Sequence, residues 1–477
     1  MRRNYEQMTL GDIYSDVAHY FEEEKPRFFR LMEQYIDWDA IIPLSFYSAF
    51  YKRMGRERTY SLESFICMLV LQKVFHYTED SQLLNTLRYS KEMRDFCGLR
   101  KVPDASKITR FKQQFATQLE QLFYRLVDLT EPVCQAINSE LADTLQFDTS
   151  GIESYVAENN PKFQSKLLKQ AKTYCKNKPD ADPYKMVYKL MPDHAEANLA
   201  VNQQHINGHF CYAQKFGIVT NGMGIIRHVS LFDEEFKKRH SDMAIRKKSG
   251  NPDADKEIGD STALRPVLND FLKMHPSFRP NTFVGDSAFD SYDNYALLLN
   301  TFGFEKAVIP LNPRNGKSNT ASVEFNEEGT PLCPADSSRS LLYMGVCKGK
   351  NRSARLKWVC PKSVPNGTSR KCTCLHPCSS SPYGRTVYTY PHKNMRLYPG
   401  IARECEEWGS IYKNRTAIER CICSLKSSFG LSERKTFNTL TTKADLLLTA
   451  IVQLIGVLLA DAIHQTKYLR RIRKLVS

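Results

Sequence analysis

Residues 446–460, LLLTAIVQLIGVLLA, form the longest apolar run in the chain, closed by Asp445 and Asp461. Whatever the fold, this segment must be buried, because leaving it in water would outweigh the net stability of a domain. It falls short of the roughly 20 residues a membrane span needs, and Thr449, Gln453 and Gly456 interrupt it. We read it as a core helix packed on a sheet, with no membrane partner. At 42% hydrophobic and 25% charged residues the chain has the composition of a folded protein, not a disordered one. Its 477 residues can bury one large core or two to three smaller ones.

Lysine and arginine outnumber acids, giving a net charge of +15 and a pI near 9.1. Such an excess points to a polyanionic partner, nucleic acid ahead of a membrane surface. The N-terminal MRRNYEQMTLGDIYSDV lacks the apolar core of a signal peptide, so the expected location is cytoplasmic. The 14 cysteines are then read as reduced thiols.

Residues from about 15 to 135 carry helical periodicity throughout. YSLESFICMLVLQKVFHY is an apolar helix, and PDASKITRFKQQF opens another, with Asp104 or Ser106 as its cap. Short helices with basic connections suit a DNA-reading domain, and equally a plain bundle. After residue 140 the rhythm becomes that of strands. TLQFDTSGI is a strand carrying Asp148, and HFCYAQKFGIVTN and GMGIIRHVSLFD are two strands joined at Asn221-Gly222. A helix from Asp260 to His275, a strand in TFVGDSAFDS with Asp286 at its end, a helix closed by Gly303 and a strand in FEKAVIPLN follow. The fold class is mixed α/β. Its expected divisions are 1–138, an N-terminal all-helical domain; 139–312, the first part of the core, with a lysine-rich insertion at about 156–205; 313–396, a cysteine-bearing insertion; and 397–477, the closing helices and a basic tail. Lys162, Lys166, Lys169 and Lys172 in the first insertion, and KYLRRIRKLVS at the end, could track a nucleic-acid backbone.

Acids at the ends of apolar strands in an α/β sheet mark a ligand edge. Asp148 and Asp286 both sit there, while Asp143, Asp290 and Asp293 read as caps or turn formers. A third carboxylate comes from IYKNRTAIERCICSLK, residues 411–426, read as one continuous helix. On a wheel at about 100° per residue, Tyr412, Arg415, Glu419 and Lys426 fall within an arc of roughly 60° beside the apolar stripe, rising about 21 Å. Three such carboxylates are hard oxygen ligands for Mg²⁺ or Mn²⁺, and two ions would serve an in-line phosphoryl displacement. Arg415 and Lys426 would then hold phosphates, and Tyr412 a base or a phosphate.

Tyr412, Arg415, Glu419 and Lys426 fit the spacing Y-x2-R-x3-E-x6-K, and the chain thereby resembles the DDE-class insertion-sequence transposases that carry this signature. FDTSGIES resembles the first-Asp strand of that family, VGDSAFDSYDNYALL its second-Asp strand and helix, VPDASKITRFKQQF the end of its helical domain, and CSSSPYGRTVYTYP a segment of a cysteine-bearing subset. The similarity covers most of residues 40–465. Ser287, Ala288 and Ser150 depart from the residues common in relatives, without removing an acid. The resemblance implies a ribonuclease-H-like core that cuts and joins DNA at transposon ends. Asp148, Asp286 and Glu419 would be catalytic and metal-binding, and Tyr412, Arg415 and Lys426 would bind substrate. The implied partners are double-stranded DNA with terminal inverted repeats, target DNA and a second copy on paired ends, in a bacterial-type, nucleoid-associated setting. Two alternatives stay open: a catalytically decayed transposase-derived DNA-binding protein, and a nuclease of the same fold without strand transfer.

Six cysteines crowd into residues 333–378. Their close spacing in KCTCLHPC suits structural Zn²⁺, with Cys360, Cys372, Cys374 or His376, and Cys378 as ligands; free structural thiols are the competing reading.

Overall fold

The computed structural model describes residues 25–476 and, before them, 9, 11, 14 and 15, apart from 53, 177, 179–180, 207–208, 244–257, 313–322, 327–328, 350–351, 368 and 392–394. Most of the N-terminal stretch on which the location was read lies outside the described residues. The chain divides into two compact units, Met1–Val133 with Cys423–Ser477, and Cys134–Ile422.

The first unit is helical. It contains α1 (Arg27–Tyr35), α2 (Leu62–Val74), α3 (Asp80–Tyr89), α4 (Ala105–Gln114) and the start of α5 (Ala116–Ile137). Ser61 caps α2 by accepting from Ser64 N–H, and Asp104, not Ser106, caps α4 by accepting from Lys107 N–H. Phe65 of α2 stacks on Phe111 of α4 with ring centroids 4.6 Å apart. The apolar run forms the middle of a helix, Thr439–Ala462, in which every residue from Thr441 to Val457 is buried. It packs on α1, α2 and α4, so its partners are helices and not the expected sheet. A helix apolar on all sides needs neighbours all round, and its own sequence does not say which kind. The helix has the length and composition to cross a membrane, yet 89% of its most apolar stretch is buried within this unit.

The second unit is built on a sheet. In chain order come β1 (Thr144–Glu153), α6 (Pro161–Cys175), α7 (Pro183–Leu190), β2 (His194–Ala195), β3 (Asn198–Ile206), β4 (His209–Asn221), β5 (Ile226–Leu231), α8 (Asp260–Met274), β6 (Thr282–Val284), α9 (Tyr292–Ala296) and β7 (Lys306–Val308). β4 lies antiparallel between β1 and β5, and β6 and β7 continue parallel on the other side of β1. The Asn-Gly dipeptide marks the β4–β5 hairpin correctly, but the loop is longer than a two-residue turn. The Asn221 side chain closes it, accepting from Met223 and Ile225 N–H at 3.1 and 3.0 Å. In the first insertion α6 buries Ala171 and leaves Lys162, Lys166, Lys169 and Lys172 exposed. The second holds β8 (Leu332–Cys333), β9 (Asp336–Ser340), β10 (Leu342–Gly349), β11 (Arg352–Val359), β12 (Ser363–Asn366), β13 (Ser369–Cys372) and β14 (Thr386–Thr389), arranged in three small sheets. The chain then returns through α10 (Glu406–Lys413) and α11 (Thr416–Cys423).

His228 on β5 is 1% exposed and pairs its Nε2 with Ser230 Oγ at 2.9 Å. Burial first, then His275 and Arg239, pushes its pKa down to about 3. The folded value lies below the unfolded one, so between about pH 6.5 and 3 only the unfolded chain takes up the proton, and stability falls with acidification. We expect the wild type to lose about 2 kcal/mol more than His228→Gln between pH 7 and 4.5, read from urea unfolding at both values. Equal losses in the two proteins would show that His228 is not the group titrating.

Candidate active site

The site begins with register. β1 pairs with β6 in parallel, Thr144 with Thr282, Leu145 with Phe283 and Gln146 with Val284. Asp148 follows two residues on along β1, and Asp286 two residues past the end of β6, at the start of the Ser287–Phe289 turn. Alternation along β1 puts Gln146 and Asp148 on one face and Phe147 and Thr149 on the other. Phe147 meets Phe289 and Thr149 meets Asp260 at the start of α8. The Gln146 face meets the α10–α11 segment.

Gln146 determines how that segment is shaped. Its side chain is fully buried; Nε2 donates to the Asn414 carbonyl at 2.9 Å and Oε1 accepts from Ile418 N–H at 3.1 Å. Asn414 and Ile418 are the pair that an uninterrupted helix would bond directly, so the amide is inserted into the ladder. Around the wedge the chain tightens to i→i+3 bonds, with Asn414, Arg415 and Ala417 N–H donating to the Ile411, Tyr412 and Asn414 carbonyls. The continuous helix expected over 411–426 is therefore broken between Lys413 and Thr416, and it ends in a π-helical turn, Ser424–Ser428. Lys426 lies on that turn, beyond the boundary at Ile422, in the helical unit.

The break sets Arg415 between two carboxylates. Its guanidinium lies 2.6 Å from Glu419 Oε1 and 3.6 Å from Asp286 Oδ2. Burial lowers the Arg415 pKa, but Glu419 and Asp286 more than reverse this, and the group stays cationic. Asp286 Oδ1 also caps the short turn Ser287–Phe289, accepting from Ala288 N–H at 2.9 Å. Asp148 accepts from Thr149 N–H at 2.7 Å. Its pKa is pushed up to about 6, by burial first and with Asp286 and Asp260 adding to it, against the opposing pull of Thr149 N–H and Arg415. Tyr412 packs against Val284, Val308 and Ile401, and burial raises its hydroxyl pKa. Among the described residues no three His, Cys, Asp or Glu groups already stand close enough to hold a metal ion.

Two supporting features escaped the sequence reading. Asp290, read as a cap or turn former, is fully buried. It binds both Nε and a terminal nitrogen of Arg396, and it accepts from Tyr295 Oη–H at 3.0 Å and Asn312 N–H at 2.6 Å. This network ties the end of the cysteine insertion to the loop after Asp286. The other feature is Gln146, and an amide inside the apolar LQF of a strand was the available signal. We expect Gln146→Leu to let Ile418 bond Asn414 directly, with stability changed by no more than about 1 kcal/mol. Misplacing Arg415 and Glu419 should lower any strand cleavage about 10²-fold. Cleavage within threefold of wild type would show that the wedge positions nothing the chemistry needs.

The cysteine insertion brings Cys333, Cys360, Cys372, Cys374, Cys378 and His376 around one cavity of about 250 Å³. The sequence reading had omitted Cys333.

Comparison with known proteins adds three findings. The cryo-EM structure of the piggyBac transposase synaptic complex with hairpin DNA (SNHP) is similar at 10% identity, over 95% of this chain and 80% of that one, with a TM-score of 0.35, a value too low to carry an argument. No curated protein matches the sequence. Residues 17–114 match the family model described as Transposase domain (DUF772).

Proposed function

We propose that the chain is a DDE-class DNA transposase that cuts and joins the ends of its own element by divalent-metal-dependent phosphoryl transfer. The observation that carries this reading is that Arg415 lies against both Asp286 and Glu419 and within electrostatic reach of Asp148, three acids from distant stretches. The transposase-domain match supports it. So does the sheet, whose order β5–β4–β1–β6–β7 has antiparallel strands on one side of β1 and parallel strands on the other, as a ribonuclease-H-like core requires.

The donor set fits a hard divalent cation. Its oxygens are carboxylate, and burial first, with the Asp286 charge adding, holds Asp148 where a cation would favour its ionised form. Asp148, Asp286 and Glu419 would hold Mg²⁺ or Mn²⁺, which would activate an attacking hydroxyl and stabilise the leaving oxygen. Arg415 now supplies the counter-charge. In the loaded site it is free to turn to a phosphate of the DNA strand, where its planar fork suits two oxygens. Tyr412, held against Val284 and Val308, keeps that arginine's helix seated. The exposed lysines of α6 supply further phosphate contacts, which would weaken with salt and carry no sequence information, whereas Lys426, read from the sequence as a phosphate ligand, is buried. A dimer on paired ends follows from the need to handle two termini together.

The test uses the purified chain and a supercoiled plasmid carrying the DNA that flanks its coding region. We expect excision products in Mg²⁺ or Mn²⁺, none with chelator, and joined products when a second plasmid is added. DNA binding without cleavage would overturn the reading in favour of a decayed binding protein. Cleavage without joining would overturn it in favour of a nuclease.

A further inference from the structure

The cysteine insertion has little apolar core of its own. Its buried cluster is Cys333, Leu341, Leu356, Trp358 and Cys360, so two of its five members are thiols. Segments this short usually need a covalent or metal staple to hold one structure. Two of the cysteines begin matching turns. Leu332-Cys333-Pro334-Ala335 and Val359-Cys360-Pro361-Lys362 both end a strand in Cys-Pro. In the second turn the Lys362 N–H donates to the Cys360 sulfur and Ser363 N–H donates to the Cys360 carbonyl at 2.9 Å.

The remaining thiols sort themselves by geometry. Cys378 is hydrogen-bonded to Cys333, although 45 residues separate them. Gly384, at φ +81°, passes so close that a Cβ there would lie 3.6 Å from the Cβ atoms of both Cys360 and Cys372. These contacts bring Cys333 to Cys378 and Cys360 to Cys372 around the same cavity, as two close pairs that a metal would draw into one ligand set. Cys374 also lines this cavity, but its Sγ is engaged in donating to the His376 carbonyl at 3.4 Å, and His376 is exposed.

We infer that Cys333, Cys360, Cys372 and Cys378 form a structural tetrathiolate site for Zn²⁺ that fastens the insertion. This set differs from the one read from the sequence in holding Cys333 in place of Cys374, and it stands independently of the proposed transposase activity. Soft sulfur donors in a closed tetrahedral set select zinc over the hard cations of the acidic site. Each ligand thiol gives up its proton to solvent on binding, and the Cys378–Cys333 hydrogen bond is exchanged for two bonds to the metal.

The full chain, purified without chelator, should carry about one zinc per molecule. Cobalt replacement should give the thiolate-to-metal charge-transfer bands and intense visible bands of a tetrahedral sulfur site. Cys333→Ser and Cys378→Ser should retain under about a fifth of the metal, and Cys374→Ser and Cys347→Ser close to all of it. Should the first two variants fail to fold, the wild-type stoichiometry and cobalt spectrum decide alone. Less than a quarter-equivalent of zinc, an octahedral cobalt spectrum, a Cys333–Cys378 disulfide found by non-reducing mass mapping, or zinc lost from Cys374→Ser but kept by Cys333→Ser would each overturn the assignment.

Discussion

Asp148→Asn, Asp286→Asn and Glu419→Gln should each lower strand cleavage by at least about three orders of magnitude, some 4 kcal/mol of barrier, while DNA binding persists. An amide keeps the shape of each side chain and removes the charge a divalent ion needs. The three variants should differ in stability, which separates a chemical role from a structural one. Asp148 is held against its preference: burial and Asp286 raise its pKa to about 6. Its folded pKa lies above the unfolded value, so the ionised side chain destabilises the fold at neutral pH. Asp148→Asn should therefore stabilise the protein by about 1–2 kcal/mol as it abolishes cleavage, the trade expected of a catalytic acid. At Asp286, asparagine caps the Ser287–Phe289 turn as well as aspartate does, so little should change. Glu419→Gln leaves Arg415 without its nearest partner on a half-exposed surface, a loss of under about 1 kcal/mol. Thermal unfolding, anisotropy of labelled end DNA and a cleavage time course give the three readouts. Cleavage within tenfold of wild type in any variant would remove that residue from the proposed set.

Much of this arrangement was legible because strands and helix caps are local. TLQFDTSGI, HFCYAQKFGIVTN and the Asp104 cap announce themselves within a few residues, and β1, β4 and α4 form where they do. The acids were visible too, but not as the ends of strands they were read to be: β1 runs on past Asp148 to Glu153, and β6 stops at Val284, before Asp286. What could not be read was any fact that depends on which distant backbone meets which side chain. Gln146 looks like a lone amide in a strand until the chain 268 residues later presents a carbonyl to it, and the helix break at Asn414 is invisible without that contact. Cys333 looks detached from Cys378 until the insertion folds back. Asp290 resembled a turn former because its partner, Arg396, lies at the far end of the cysteine insertion. The apolar run had to be buried on composition alone, yet helices and sheets offer equally good apolar cover, so nothing in it chose between them.

Asp445, which the sequence shows only as a boundary of that run, should be among the most costly residues in the chain to neutralise. It is 1% exposed and sits among three cations of its own unit: Lys73 Nζ at 2.8 Å and Lys112 Nζ at 3.0 Å on one oxygen, Arg434 Nε at 3.1 Å on the other. Burial would raise its pKa, but Arg434, Lys112 and Lys73 together hold it well below the usual carboxylate range. Burial likewise brings Lys73 down to about 8, so each charge depends on its neighbours. Asp445→Asn strands those cations, with only Asp80 left to answer two of them, Lys112 at 3.4 Å and Arg434 at 2.8 Å. Breaking a buried network from one side costs about 3–5 kcal/mol, and for a unit of this size the unfolding temperature should fall by roughly 10 °C. Asp80→Asn should cost less, because that side chain is 17% exposed and shares its cations with Asp445. The combined change Lys73→Met, Lys112→Met and Asp445→Leu leaves the Arg434–Asp80 pair intact and should recover most of the loss, since apolar packing replaces a buried charge network at little net cost. A loss under about 1 kcal/mol in Asp445→Asn would mean that apolar burial alone holds the closing helix against α2 and α4. A combined variant no more stable than Asp445→Asn would mean that the charges fix the geometry in a way packing cannot replace.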